Sequence, residues 1–156
     1  MKVTLLLTLA ILAIGGLSAD PSYAATSAAP GSKDPRIKTF AYHDDTVYRF
    51  KGHYGFSTVI EFSPRETIDS VSIGDSEAWQ IVPSNKANIL FIKPILENAY
   101  TNMTVLTSHR MYSFEMAAGK APSHKSSELT FRVKFDYPDD KKRREYAKKE
   151  KYDPFD

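Results

Sequence analysis

An all-β fold, an antiparallel sandwich or barrel of about eight or nine short strands, follows from three observations on the sequence. Apolar and polar residues alternate with period two in several runs. Turn residues break these runs about every ten residues. Between residues 35 and 137 no stretch combines a helical apolar stripe with a capping pattern.

The strands can be taken in order. Asp34-Pro35 marks a turn before the first. Ile37–Tyr42 and Thr46–Phe50 flank a break at His43-Asp44-Asp45, residues that suit turns better than strands. Phe56–Phe62 alternates, with Phe56, Thr58, Ile60 and Phe62 on one face, and Ser63-Pro64 ends it. Thr67–Ile73 leads to the turn Gly74-Asp75-Ser76, and Glu77–Val82 carries Trp79, the only tryptophan. Asn88–Ile92 has apolar groups on both faces, which places it centrally, covered on both sides. The connection Lys93–Asn102 has room for one helical turn around Ile95–Ala99. Met103–Thr107 and Arg110–Met116 are strands, 117–128 is an exposed loop, and Leu129–Tyr137 has the cleanest alternation in the chain. In that last run Leu129, Phe131, Val133, Phe135 and Tyr137 face inward, while Thr130, Arg132, Lys134 and Asp136 face water. The expected core aromatics are Phe62, Trp79, Phe91, Tyr112, Phe114, Phe131 and Phe135.

Both ends differ from this body. Lys2 followed by the apolar run Val3–Leu17, with small residues at Ser22 and Ala24, is the pattern of an export signal over residues 1–24. The run is shorter than the roughly 20 residues a membrane-spanning helix needs. Residues 25–34 are small and polar, a flexible lead-in to a domain at 35–137. Residues 138–156 are a charged linker, helical or disordered, with Asp139 or Asp140 as a cap and the pairs Asp140/Arg144 and Glu145/Lys149 at favourable spacing. The linker has no apolar stripe and so nothing to bury.

Composition excludes more than it assigns. With 156 residues, 42% of them apolar, the chain holds one core, and the absence of cysteine excludes disulfides and thiolate chemistry. A formal charge of +2 is too close to neutral to imply a polyanionic partner. His43, His53, His109 and His124 lack ligand spacing and read as surface or turn residues. Glu61, Glu66, Asp69, Asp75 and Glu77 read as outward strand positions rather than as a glycosidase pair. No nucleophile elbow and no phosphate loop is present. Lys141–Arg144 reads as part of a solvated linker, because acidic residues are interleaved around it. The residues thus point to no enzyme, no cofactor and no metal.

Several short motifs occur in a fixed order: Asp34-Pro35-Arg36-Ile37, Gly74-Asp75-Ser76 followed by Trp79, Leu90–Lys93-Pro94, Thr101-Asn102-Met103, and Thr107–Phe114 with Arg110 inside it. In that order, behind an export signal, they resemble the N-terminal half of the conjugal transfer (TrbG/CagX-like) family, periplasmic subunits of the type IV secretion outer-membrane core complex. The resemblance covers roughly 34–137. It implies a β-sandwich in the inner layer of that complex, non-catalytic, packed against copies of itself and against the inner-membrane-anchored scaffold subunit. It implies no direct nucleic-acid binding. In the family a charged linker leads to a second β-domain that meets an outer-membrane lipoprotein. That domain is expected to be absent here, as in a fragment or a truncated gene, so contact with the lipoprotein is not expected of this chain alone. A reading from a different class is a periplasmic peptide-binding or chaperone-like sandwich that takes an extended peptide along an edge strand.

The signal pattern gives a direct expectation. N-terminal sequencing of exported protein should show a mature chain beginning near Ala25; a chain that retains Met1 would remove the export reading.

Overall fold

The structure, a computed structural model, describes residues 26–27, 29–30 and 34–150. The expected export signal at 1–24 and the expected helix end around Asp153-Pro154 lie outside the described residues. The elements in chain order are β1 (Thr26–Ser27), β2 (Ala29–Pro30), β3 (Ile37–Ala41), β4 (Val47–His53), β5 (Thr58–Glu61), β6 (Ile68–Ile73), β7 (Trp79–Pro83), β8 (Ile89–Pro94), β9 (Tyr100–Thr107), β10 (Met111–Gly119), β11 (Arg132–Asp136) and helix α1 (Pro138–Glu150).

The strands form two sheets of a sandwich, one ordered β1-β4-β10-β9-β6 and the other β2-β3-β11-β5-β8-β7. The sandwich is the one the alternation predicts, but its pairing is mixed rather than wholly antiparallel. β10 runs parallel to β4, and β11 runs parallel to both its neighbours, β3 and β5. Alternation reports which face is buried and carries no information on strand direction, so the sequence could not reveal this.

Between the sheets lies an aromatic core. Tyr48, Phe50, Phe62, Trp79, Tyr112 and Phe114 are each no more than 2% exposed. Phe135 of β11, half-buried, lies within 4.8–6.5 Å of six other rings, those of Phe40, Tyr48, Phe62, Tyr112, Phe114 and Tyr137. Tilted and edge-on ring pairs of this kind add about 0.5–1.5 kcal/mol each beyond the area they bury. Phe131 sits outside this cluster, stacked on Phe56 with the Arg36 guanidinium 4.6 Å above its ring.

Several expectations are corrected. Phe91 is 39% exposed, not core. β8 is covered on one face only: Leu90, Ile92 and Pro94 point inward, while Phe91 points out beside Val82 of β7. Apolar residues on both faces of a run therefore did not mean two covered faces. Thr130, expected in water, is buried, and its carbonyl accepts the Thr58 hydroxyl. The connection after β8 holds no helical turn; β8 runs on to Pro94, and Asn98 takes a left-handed conformation (φ 60°) in a tight turn before β9. The lead-in is not free where it is described: β1 pairs with β4 and β2 with β3, one at the edge of each sheet.

A buried phenylalanine of β10 and the outward one of β8 give a direct comparison. Phe114→Ala should lower the unfolding free energy by about 3–5 kcal/mol, whereas Phe91→Ala should change it by less than about 1 kcal/mol. Urea denaturation of both variants measures the difference; equal losses would mean the outer face of β8 is covered.

Candidate functional site

Most charged groups of the sandwich lie on its surface. Glu66 is the exception. It lies in the loop from β5 to β6, its side chain has no solvent exposure, and its carboxylate is held by three donors. Thr107 Oγ1 donates to Oε2 at 2.9 Å, Tyr112 Oη donates to the same oxygen at 2.7 Å, and Arg110 Nη1 pairs with Oε1. Glu66 therefore does not occupy an outward strand position, as its sequence context suggests. It is buried because the loop after Ser63-Pro64 turns back under the β9–β10 hairpin, where the Glu66 amide donates to the Ser63 carbonyl.

Arg110 connects this buried carboxylate to the helix. Its Nη2 donates to Asp140 Oδ2 at 2.7 Å, in the first turn of α1. The guanidinium lies 5.1 Å from the Tyr42 ring and 4.5 Å from the Tyr137 ring. Tyr112 and Tyr137 share a hydroxyl–hydroxyl bond of 3.0 Å. Burial resists the charge on Arg110, but the bonds to Glu66 and Asp140 outweigh it and hold its pKa above the ordinary value. Burial pushes the Tyr137 phenol up to about 12, and burial with the bonds to Tyr137 and Glu66 raises that of Tyr112 further. Both hydroxyls stay neutral donors at any ordinary pH.

The network ties α1 to the sandwich. Lys141 adds a 2.6 Å pair with Asp136, and its amide donates to the Tyr137 carbonyl at 3.2 Å. The linker was expected to have no apolar stripe and nothing to bury; its first turn is held to the sandwich by charge. The acidic pair Asp139-Asp140 also suits a helix N-terminus.

The motif residues fall in three places. Gly74, Asp75 and Ser76 form the turn that carries the chain from β6 in one sheet to β7 in the other. Asp75 Oδ1 accepts the amides of Glu77 and Ala78 at 3.1 and 3.0 Å. A Cβ on Gly74 would lie 2.7 Å from Thr101 Oγ1 and 2.8 Å from Asn102 Oδ1, so any side chain here would force those two to move. Lys93 and Pro94 end β8, with Pro94 buried opposite Trp79 and Lys93 exposed opposite Gln80. Arg110, with Thr107 and Tyr112 on either side of it, belongs to the Glu66 network. Sequence reasoning named Arg110, placed Tyr112 in the core and missed the carboxylate that joins them. A Glu in a loop after Ser-Pro gives no periodic signal, and only the fold brings it to within reach of residue 110.

The histidines divide. His43, His109 and His124 are exposed, but His53 is 2% exposed and neither of its ring nitrogens has a hydrogen-bond partner. This corrects its assignment to the surface. Burial, with Lys51 nearby and Glu128 acting in opposition, lowers its pKa below the ordinary 6.5. Among the described residues no group of three or more acidic or histidine side chains is arranged to hold a metal, and no helix is long and apolar enough to cross a membrane.

Fold and network together define a β-sandwich module that passes its chain, under charge control, into a polar helix. The family model described as conjugal transfer protein (CagX) matches residues 35–155, and the chain belongs to that family. It is 32% identical over 145 residues to the type IV secretion system protein virB9 of Bartonella henselae, covering 90% of this chain and 50% of that protein. It is 31% identical over 129 residues to the type IV secretion system protein PtlF of Bordetella pertussis, covering 70% and 46%. Against virB9 of Agrobacterium fabrum it is 30% identical over 152 residues, covering 93% and 50%. The chain spans about half the length of these relatives.

The network and the buried histidine can each be tested. Arg110→Ala leaves the buried Glu66 carboxylate unpaired and should cost about 3–5 kcal/mol by urea denaturation, while Asp140→Ala should cost less and speed hydrogen exchange at the Lys141 amide. An unchanged Lys141 exchange rate would mean that Asp140 does not hold the helix. For His53 the folded chain resists protonation, so as pH falls below 6.5 the unfolded chain binds the proton first and stability declines. His53→Leu should flatten that part of the stability–pH curve; the same slope in both proteins would assign it to another group.

Proposed function

We propose that this chain is a structural, non-catalytic periplasmic subunit of a type IV secretion channel. It would sit in the inner layer of the outer-membrane core complex, beside copies of itself and an inner-membrane-anchored scaffold subunit. The observation that carries this reading is the Arg110 bridge. It holds a polar helix, with nothing of its own to bury, at a set exit from a rigid sandwich, as suits a module that positions a neighbouring part of an assembly. Family membership and the names of the relatives support the same reading. The buried carboxylate of Glu66 is fully engaged in internal bonds and is not presented to a substrate. The reading includes no catalytic step and no direct contact with nucleic acid. An outer-membrane lipoprotein would be met only through a further domain beyond the linker.

The test is co-expression of the full coding sequence with the neighbouring genes for a lipoprotein and a scaffold with one membrane span. The protein should co-purify with both in a large ring-shaped particle. A protein that remains monomeric when both partners are present would overturn the proposal.

A further inference from the structure

The two lateral seams of the sandwich are treated differently by the chain. On one side the lead-in lies across the seam: β1 extends the first sheet beside β4, and β2 extends the second beside β3. On the other side the edge strands are β6 and β7, and among the described residues no strand pairs with their outer edges.

The direction of the backbone groups on those edges is set by the ladders. The Ser84 amide donates to the Ile89 carbonyl, and the Ile95 amide donates to the Ala78 carbonyl. In an antiparallel pair the bonded positions alternate, so Gln80 and Val82 bond to β8 while Trp79 and Ile81 turn their N–H and C=O groups outward. The Gly74 amide donates to the Asn102 carbonyl, which by the same parity turns Val71 and Ile73 outward on β6. One end of the seam is guarded. Pro83 stands at an outward position of β7, where its missing N–H prevents strand addition, and β6 has a register shift between Ile68 and Ser70. The other end, where residues 74–78 cross from β6 to β7, has neither a proline at an outward position nor a register shift. There a cavity of about 580 Å³ opens, lined by Ile73, Trp79, Ile81 and Ile95 together with the polar Ser76 and Gln80. Leu96, next to it in the chain, is 54% exposed, and the Trp79 Nε1 has no hydrogen-bond partner. Asp75 and Glu77 flank the lining residue Ser76 in the chain and Glu97 follows Leu96, against Lys93 on the outer face of β8.

We infer that the unguarded end of the β6–β7 seam binds an extended segment of another protein, with alternating basic and apolar side chains, as an added strand on β7. The outward amide and carbonyl groups of Trp79 and Ile81 bond to its backbone. Its apolar side chains enter the cavity over Ile73, Ile81 and Ile95, and its basic side chains meet Asp75, Glu77 and Glu97. Charge complementarity selects this occupant over an acidic segment. The inference names a partner chemistry for the structural subunit proposed above and rests on that reading for its setting, although binding itself is tested separately.

Trp79 is the only tryptophan, so its fluorescence reports on the seam without labelling. The full chain is titrated with a capped peptide of about eight residues alternating lysine and valine, long enough to span the edge. A saturable change in emission is expected. An N-methyl group on every second residue of the peptide, on the edge that meets β7, should abolish it. Replacing lysine by glutamate should weaken it by about tenfold or more at low salt. Ile81→Pro, which removes an outward N–H without removing a bond to β8, should also abolish it. No saturable change up to about millimolar peptide, or an equal response to the N-methylated or glutamate peptide, would overturn the inference. Because the peptides alone decide the matter, a poorly folding Ile81→Pro does not obscure it. A failed titration would leave the ring-particle experiment to stand on its own, and failure of that experiment would leave a positive titration intact.

Discussion

The contact between Glu66 and Arg110 is the constraint on which the lower end of this molecule depends. A carboxylate with no solvent exposure is costly unless its charge is met within the protein. Here it is met by one guanidinium and by two hydroxyls, from Thr107 and Tyr112, all three carried by the β9–β10 hairpin. Three segments distant in sequence are fixed together by this one group: the loop after β5, the hairpin and, through Arg110, the start of α1. Two tyrosine rings lie beside the guanidinium, whose side chain keeps 14% of its surface exposed. Replacing such a pair by apolar residues is often neutral in stability, whereas removing one partner is not. The value of the pair therefore lies in the geometry it imposes on the helix.

The sequence was most legible where a single period decides the outcome. All nine strands of four or more residues among the described residues correspond to alternating or β-branched runs, with boundaries shifted by a few residues. Inward assignment held for Phe62, Trp79, Tyr112 and Phe114 because each lies in phase with other apolar residues on a half-buried strand. It failed for Phe91, where both phases of the run are apolar and hydrophobicity cannot choose between them. Strand direction was hidden throughout. The Glu66 network was hidden for another reason: its members are spread from residue 42 to residue 140, and their meeting is a property of the fold rather than of any window. Gly74 shows an intermediate case. Its place in a turn was visible, but the reason for a glycine there, the close approach of Thr101 and Asn102, was not.

The mixed topology also bears on how the helix comes to be placed. β11 is inserted between β3 and β5, parallel to both, so one sheet lacks an interior strand until the chain has reached Asp136. Parallel insertion of this kind cannot form from a local hairpin and is slow relative to local pairing. The same strand brings Phe135 to the centre of the aromatic cluster. Until it docks, both the core and the sheet are open.

Tyr137 and Asp140 lie immediately after β11, and both belong to the Arg110 network. The helix therefore cannot be held in its observed position unless β11 is in place, because β11 brings these residues within reach of residue 110. Completion of the core and orientation of the exit helix are consequently one event and not two. A sandwich that has not closed presents its linker in no defined direction and offers an assembly nothing to build on. A closed one presents it from a fixed point, at the end of the sandwich where the buried carboxylate sits. In this chain the link between a stable core and a usable, directed exit helix is a physical one, made by the few residues that separate Phe135 from Asp140.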